Sequence, residues 1–315
     1  MHNEKRVIHN IVDYSPLYYK YMFQMKAGRM RKLNVEVDTP NGKEELDISI
    51  IYYTIKEIEG FRRKLEEMGY EVITSVCFDM PSKRKEKALE TTGQAYKGGR
   101  KNKLGEDDFK KIDIAKELLE KAGHNVYMEE GYEADDLIEH LTKQYKDEFY
   151  GTIIYTNDKD MLTNIDDFVT VRRYKTNNGW TTVNKENYEQ YVSKEMKCRV
   201  PYNALGLFLA TVGDKSDNIP GIFRFGPKAF DTLIDTLDEK YDINWEECGD
   251  YDKLKDVFNL CQEVLTPEQF EQARDSFNLV KPIKLDIEVP KPKSKSTREK
   301  RESSYMKYNM KSIIE

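Results

Sequence analysis

The stretch Ile153-Ile154-Tyr155-Thr156-Asn157-Asp158 is a short apolar run that ends in an acid. The same pattern occurs twice earlier in the chain, at Ile11-Val12-Asp13 and at Val76-Cys77-Phe78-Asp79. Continuous apolar character over so short a span is typical of strands covered on both faces, as in a parallel sheet. Ligands of open sheets bind beyond the carboxyl ends of the strands. We therefore expect the three terminal acids to line one edge of the sheet.

Helical patterns alternate with these strands and indicate an α/β layer fold. The predicted helices cover roughly residues 51–68, 108–122 and 134–145. A hairpin turn is expected at Asn41-Gly42, between two short strand-like runs. After about residue 194 the pattern becomes helical, with predicted helices at 202–212, 227–237 and 267–279.

Size and composition predict a soluble globular protein of one large or two modest domains. The chain has 315 residues, 38% hydrophobic and 34% charged, with a mean hydropathy of −0.78. We find no signal-like start and no apolar run of transmembrane length, so a cytoplasmic location is expected. The four cysteines and four histidines lack metal-ligand spacing, which argues against zinc.

Acidic and basic residues are segregated along the chain, although the net charge is −6. Residues 83–103 contain eight Lys or Arg against two Glu, a pattern that suits nucleic acid but is more often a solvated helix face. The sequence from Val289, which contains Pro-Lys-Pro-Lys-Ser-Lys-Ser, predicts a solvated linker and tail.

Two short acidic motifs follow predicted strands. Glu133-Ala134-Asp135-Asp136 opens a helix and places its first and last acids on one face. A single acid there would merely complement the helix dipole, but three within four residues indicate more. Asp158-Lys159-Asp160 would present both acids on one side if strand geometry continued, although the motif alone favours a turn with an Asx cap.

The segment Gly213–Ala229 is the strongest single motif. Its glycines and prolines predict a tight hairpin between two helices, with Pro227 at the first position of the second helix. Glycine lets backbone amides approach a phosphate, and a helix N-terminus adds positive potential. This arrangement grips a duplex backbone without reading bases. An ordinary helical turn would explain the glycines but leaves Asp214 and Asp217 without a role.

Carboxylates gathered this densely repel one another. At about 4 Å and an effective dielectric near 20, each like-charged pair costs roughly 4 kcal/mol. Hard divalent cations, which prefer oxygen ligands, would remove that cost. The acids therefore predict a two-metal phosphodiesterase that acts on nucleic acid.

Six motifs, taken in order, resemble those of the 5′ nuclease family. This family comprises flap endonucleases and 5′ to 3′ exonucleases of bacteria and phages, including the N-terminal domain of DNA polymerase I. The ordered set is very specific and spans about residues 7–230. The motifs are Ile11–Asp13, Val76–Asp79, Tyr96-Lys97-Gly98-Gly99-Arg100, Gly131–Asp136, Thr156-Asn157-Asp158-Lys159-Asp160 and Gly213–Gly221.

The resemblance implies an α/β fold: a PIN-like nuclease domain with a mainly parallel central sheet, a helical arch and a helical region with a helix-hairpin-helix motif. The implied domains are a catalytic one at 1–195, with the arch at about 80–110, and a DNA-binding helical region at 196–288. The helix-hairpin-helix would lie at about 202–237, and a basic linker and tail at 289–315.

The resemblance also implies two Mg²⁺ ions, for which Mn²⁺ would substitute. They would generate a hydroxide nucleophile and steady the leaving oxygen. The implied ligands of one ion are Asp13, Asp79, Glu133 and Asp135. The implied surroundings of the other are Asp136, Asp158, Asp160 and Asp217, with Asp214 nearby. Asp13, Asp79, Asp135 and Asp158 would be central to catalysis, together with Lys97 and Arg100 on the scissile phosphate.

DNA contacts are implied for the arch and for the hairpin. Tyr96 would stack on a base. The other implied contacts are Lys83, Arg84, Lys97, Arg100, Gly221, Arg224, Gly226 and Lys228. Two positions depart from the family: Tyr14 and Arg224 each stand where relatives have glycine. The second departure weakens the case for a K⁺ site at the hairpin.

The implied activity is that of a monomeric, Mg²⁺-dependent 5′ to 3′ exonuclease and flap endonuclease in replication, leaving a 5′-phosphate and a 3′-hydroxyl. Its substrate would be DNA with a free 5′ end, flap or nick, and RNA primers in hybrids are a further candidate. The chain resembles stand-alone phage enzymes, which act in the host cytoplasm. DNA or a replication partner could bind the tail at Tyr305–Tyr308, but the sequence favours a disordered terminus or a helix packed back on the domain. The alternatives are a non-catalytic, structure-specific DNA-binding protein and a PIN-type ribonuclease.

Overall fold

A six-stranded sheet forms the centre of the protein. The computed structural model describes residues 6–39, 42–83, 104–175, 179–280 and 285–314. The strand order is β5-β4-β1-β6-β7-β8, in which β5 to β7 run parallel and β8 pairs antiparallel with β7. The strands are β1 Val7–Asp13, β4 Glu71–Cys77, β5 Asn125–Tyr127, β6 Gly151–Thr156, β7 Val169–Lys175 and β8 Gly179–Val183. The predicted α/β fold with a mainly parallel sheet is confirmed.

Helices cover both faces of this sheet. Neighbouring residues of β1 point into different cores, Ile11 into one hydrophobic cluster and Val12 into the other, as strand alternation requires. The helices are α1 Tyr14–Lys26, α2 Ser49–Glu67, α3 Glu106–Lys121, α4 Ala134–Gln144, α5 Lys185–Met196, α6 Leu205–Val212, α7 Pro227–Tyr241, α8 Tyr251–Leu260, α9 Pro267–Val280 and α10 Arg298–Met306. Within the described ranges, we observe no helix with both the length and the apolarity needed to cross a membrane.

A two-stranded antiparallel hairpin, β2 Asn34–Thr39 and β3 Gly42–Asp47, joins α1 to α2. The sequence pattern predicted these strands but not α1. The buried face of α1 consists largely of tyrosines, among them Tyr14, Tyr18 and Tyr21, which give a weak apolar periodicity. Tyr14, at the family's glycine position, stacks on Phe78 with ring centroids 4.5 Å apart.

The segment that follows Val289 is exposed at residues 290–295 except for Pro292, while both of its ends pack on the domain. Val289 is 1% exposed, and the Tyr145 hydroxyl donates to its carbonyl at 2.8 Å. Helix α10 packs back on the domain, where the buried Tyr305 hydroxyl donates to Glu59 at 2.6 Å. Tyr305 and Tyr308 are both buried. Met306 and Lys307 between them are exposed, so the partner contact suggested for this tail stays a prediction.

His9 gives the fold a pH dependence. Its ring is fully buried in β1, with Nε2 2.8 Å from the Ser75 hydroxyl oxygen. Burial lowers the pKa of His9 from 6.5 to about 3. Between these values the unfolded chain binds one proton more than the folded chain, so stability falls as the pH falls.

We expect His9 to reduce the free energy of unfolding by about 1.4 kcal/mol for each pH unit below 6.5. Denaturant unfolding between pH 6 and pH 5 measures this slope, and the His9→Gln variant should lose that share of it. Glu59 is also buried, but His124 and Arg62 outweigh burial and lower the pKa of Glu59. The stability that ionised Glu59 gives the fold is therefore lost only below the ordinary pKa of glutamate, outside the range of pH 5 to 6. If the slope of unfolding free energy against pH were the same in the variant and the wild type, His9 would bind its proton equally well in the folded and unfolded states.

Candidate active site

Three acids lie at the carboxyl edge of adjacent parallel strands. Asp13 is the last residue of β1, the strand between β4 and β6. Asp79 and Asp158 each come two residues after the end of β4 or β6. Since neighbouring strands are about 4.8 Å apart, the backbone brings these acids to one edge, where the sequence predicted them.

Helix α4 begins against this edge. Glu133 is its N-cap residue, and the Ala134 amide donates to Asp79 Oδ1 at 2.9 Å. The Glu133 amide donates to Asp136 Oδ2 at 3.0 Å, so Asp136 caps the helix from inside. Glu133 and Asp136 are both buried. The acidic first turn therefore stabilises the helix start and also brings carboxylates to the sheet edge.

The pKa of the Cys77 thiol shows that acids from β1, β4 and α4 lie near one another. Burial raises the pKa of Cys77, and the negative charges of Asp13, Asp79 and Asp135 raise it further. Thr156 ties two strand ends together: its hydroxyl donates to Asp13 Oδ2 at 2.8 Å and accepts from the Asp158 amide at 3.0 Å. The side chains of the β1, β4 and α4 acids thus share one region.

The Asp158-Lys159-Asp160 motif is a turn rather than a continued strand. Strand β6 ends at Thr156, and a short 3₁₀ helix, Asp160–Asn164, follows. The Asp160 amide donates to Asp158 Oδ1 at 2.9 Å, which is an Asx-type contact. The turn with an Asx cap that the motif favoured is therefore confirmed, and its hydrogen bond, not strand alternation, sets the positions of the two acids.

A second acidic group forms where this turn meets the Gly213–Ala229 segment. One carboxylate oxygen from each of Asp160, Asp214 and Asp217 lies within 4.8 Å of the others. Burial raises the pKa of Asp160, and the charges of Asp158 and Asp217 act in the same direction, against Lys159. The three carboxylates therefore lie close enough to repel one another.

Lys159 offsets part of this repulsion, a role that was not predicted from the sequence. Its Nζ contacts Asp160 Oδ1 at 3.0 Å and Asp214 Oδ2 at 2.5 Å. Burial opposes ionisation of Asp214, but the hydrogen bond and charge of Lys159, together with hydrogen bonds from Ser216, outweigh it and lower the Asp214 pKa. In the sequence, the one indication of this role is that Lys159 stands between two acids.

The donor set fits hard divalent cations. The candidate metal ligands are all carboxylate oxygens. Mg²⁺–oxygen bonds of about 2.1 Å place neighbouring ligand oxygens about 3 to 4 Å apart. The spacing within the group of Asp160, Asp214 and Asp217 needs only small side-chain rotations to meet that value. Buried like charges also create the electrostatic demand that a cation would satisfy.

The hairpin between α6 and α7 is fixed by backbone contacts. Asp214 and Ile219 form a short antiparallel bridge, with N–O distances of 2.9 and 2.8 Å. The Gly221 amide donates to the buried Ser276 hydroxyl at 3.0 Å. Pro227 occupies the first turn of α7, and Gly226 is its N-cap residue. Asp214, Asp217 and the exposed tip of the hairpin therefore lie in one short chain segment.

The predicted DNA contacts fall in two regions. Arg84, Tyr96, Lys97 and Arg100 lie outside the described residues, as does most of the predicted arch. Lys83 is described and exposed; its Nζ lies 3.7 Å from Asp286 and 4.9 Å from the centre of the Tyr132 ring. At the hairpin, Gly221 and Arg224 both have left-handed backbone angles, with φ of 65° and 59°. Lys228 is exposed in the first turn of α7.

Comparison with protein families agrees with this architecture. Residues 9–197 match the model of the family described as 5′-3′ exonuclease, N-terminal resolvase-like domain. A 5′-3′ exonuclease of Aquifex aeolicus is 31% identical over 178 residues, which are 55% of this chain and 56% of that protein. DNA polymerase I of Borreliella burgdorferi is 32% identical over 229 residues, covering 71% of this chain and 22% of the polymerase.

Solved structures show the same fold. The D15 protein of T5, co-crystallised with metal ions, superposes with a TM-score of 0.51 at 17% identity and covers 87% of this chain and 100% of its own. The bacteriophage T5 D15 flap endonuclease in a pseudo-enzyme-product complex with DNA and metal ions gives 0.52 at 15% identity, over 87% and 99%. At these identities the likeness concerns the fold alone.

Proposed function

Because the chain belongs to the 5′-3′ exonuclease family, we propose that it hydrolyses phosphodiester bonds of DNA from the 5′ end and cuts 5′ flaps, with Mg²⁺ as its cofactor. The observation that carries the proposal is the convergence of acids from the ends of β1, β4 and β6 with the start of α4. The group of Asp160, Asp214 and Asp217 adds a second set of oxygen donors beside it.

We assign the acids to two cation sites. Asp13, Asp79, Glu133 and Asp135 would hold one ion; Asp136, Asp158, Asp160 and Asp217 would surround the other, with Asp214 nearby. When bound, such a pair of ions supplies an activated water and stabilises the charge on the leaving oxygen. Asp136 also caps α4, and Lys159 neutralises Asp214. These two contacts orient the ligands before substrate arrives.

Basic side chains would position the substrate. We propose that Lys97 and Arg100 contact the scissile phosphate, the first as a point charge and the second as a bidentate clamp, and that Tyr96 stacks on a base. At the hairpin, the N-terminus of α7, which begins after Gly226, and the side chain of Lys228 would hold a duplex phosphate; the Gly221 amide already donates to Ser276. The products would be a 5′-phosphate and a 3′-hydroxyl, consistent with primer or flap removal in replication.

We expect a 5′-labelled flap duplex to be cleaved in Mg²⁺ and to remain intact in EDTA. A single-stranded RNA of the same length, incubated in parallel, should be cut far more slowly. Binding of the flap without product would favour a non-catalytic DNA-binding protein instead. Preferential cleavage of the RNA would favour a PIN-type ribonuclease.

A further inference from the structure

Lys159 places a positive charge inside the second acidic group. Its Nζ lies 3.0 Å from Asp160 Oδ1 and 2.5 Å from Asp214 Oδ2. These two acids and Asp217 are the residues whose carboxylate oxygens lie within 4.8 Å of one another. An ammonium is a compact charge with three N–H donors and no acceptor. It therefore binds several carboxylate oxygens at once, as a metal cation does.

The backbone on both sides of this contact is fixed. In the turn that carries Lys159, the Asp160 amide donates to Asp158 Oδ1 at 2.9 Å. In the hairpin that carries Asp214, the backbones of Asp214 and Ile219 exchange hydrogen bonds of 2.9 and 2.8 Å. The acids therefore keep their places when the contact breaks, and the part that moves is the Lys159 side chain.

Both carboxylate oxygens of Asp214 are already in use. Oδ1 accepts from the Ser216 amide at 2.9 Å and from the Ser216 hydroxyl at 2.8 Å. Oδ2 accepts from Lys159 and also lies 2.9 Å from the Ser216 hydroxyl oxygen. The Asp214 side chain is only 8% exposed, which leaves little room for a further ligand. A cation that bonds to Asp214 Oδ2 therefore has to take the place of Lys159.

The Lys159 side chain is able to leave this position. It is 22% exposed, and its flexible four-carbon stem lets the ammonium turn to solvent. A divalent cation about 4 Å from the ammonium would be repelled twice as strongly as a second unit charge. The acidic group therefore holds either the ammonium or a metal cation beside Asp214, but not both.

We propose that Lys159 is a tethered substitute for the second metal cation, an inference that rests on the proposed function and deepens it. The ammonium holds Asp160 and Asp214 together in the metal-free protein and leaves them when the cation binds. Because only molecules with Lys159 displaced can bind the ion there, the contact lowers the apparent affinity of the second site. Lys159 is thus a positioning residue that sets the metal concentration at which this site fills.

The test is a calorimetric titration of the full chain with Mn²⁺ in the absence of DNA. Methionine keeps the unbranched stem of Lys159 and removes its charge. We expect Lys159→Met to bind the second Mn²⁺ about tenfold more tightly than the wild type, with little change at the first site. Lys159→Gln should gain affinity in the same way. Lys159→Arg keeps the charge and should bind the second ion more weakly than Lys159→Met.

The melting temperature gives a second readout. In EDTA, Lys159→Met should unfold below the wild-type temperature, because its three carboxylates repel one another without compensation. Saturating Mn²⁺ should then raise the melting temperature of this variant by more than that of the wild type.

Lys215→Met is the matched control. Lys215 directly follows Asp214 in the same hairpin and is exposed, so solvent and salt screen its charge. Its loss changes the net charge by the same amount as the loss of Lys159. The affinity of Lys215→Met for both Mn²⁺ ions should therefore stay close to that of the wild type.

Two results would overturn the inference. Weaker or unchanged binding of the second Mn²⁺ by both Lys159→Met and Lys159→Gln would mean that the lysine does not compete with the cation. An equal gain of affinity in Lys215→Met would mean that net charge, and not the contact with Asp214, controls the site. A wild type that binds no Mn²⁺ and leaves flap DNA uncut would refute the proposed function itself.

Discussion

We expect Asp158→Asn to reduce Mg²⁺-dependent cleavage of flap DNA by about 10³-fold or more. The variant removes one negative charge and little else: Asn Oδ1 can still accept the Asp160 amide, which Asp158 Oδ1 accepts at 2.9 Å. A unit charge about 4 Å from a cation, at an effective dielectric near 20, is worth roughly 4 kcal/mol. That free energy corresponds to about 10³ in metal affinity or rate.

The same substitution at Asp135 tests the other group of acids, and we expect a similar loss. Asp107→Asn is the matched control, since its side chain is 90% exposed in the first turn of α3. In EDTA, Asp107→Asn should unfold at the wild-type temperature, and the other two variants at that temperature or above it, because each removes one of the repelling charges. Wild-type turnover in Asp158→Asn or Asp135→Asn would remove that carboxylate from the catalytic centre.

Gly213→Ala should destabilise the protein by about 3 kcal/mol or more. Gly213 has φ of 86° and ψ of 171°, a region that essentially only glycine occupies. An added Cβ would lie 2.7 Å from the Ile219 carbonyl oxygen and 2.8 Å from that of Pro220. The Ile219 oxygen accepts the Asp214 amide in the bridge that closes the turn carrying Asp214 and Asp217, so cleavage should fall together with stability.

Gly60→Ala provides the control for this prediction. Gly60 lies inside α2, and a Cβ there meets no other atom within 4 Å. Alanine in a helix interior is favoured over glycine by about 0.5 to 1 kcal/mol, so this variant should be slightly more stable than the wild type. Denaturant unfolding measures both changes. A Gly213→Ala protein of wild-type stability would contradict the hairpin geometry described above.

The strands and their acidic ends were predictable because short apolar runs that end in Asp leave few alternatives. Ile11 and Ile154 are both fully buried in the parallel sheet. The hairpin was also predictable, since Pro227 marks a helix start and the glycines permit the positive φ angles of a tight turn. Local sequence therefore determined which elements exist and where their polar ends lie.

Features that depend on tertiary packing could not be predicted in the same way. Helix α1 buries tyrosines, which the apolar periodicity counts only weakly. The C-terminal segment is rich in Lys, Pro and Ser, yet Val289 and Tyr305 are buried by partners far away in the sequence. Lys159 gained its role only when the hairpin brought Asp214 to it. The interactions of these residues are non-local, so composition gave no signal for them.

The central claim is that acids from separate segments hold two divalent cations. Equilibrium dialysis or calorimetric titration of the full chain with Mn²⁺, without DNA, tests it independently of cleavage. The account predicts two bound ions per chain, with the tighter binding of one lost in Asp135→Asn and that of the other lost in Asp217→Asn. Binding of no ion by the wild type, or unaltered binding in both variants, would contradict it.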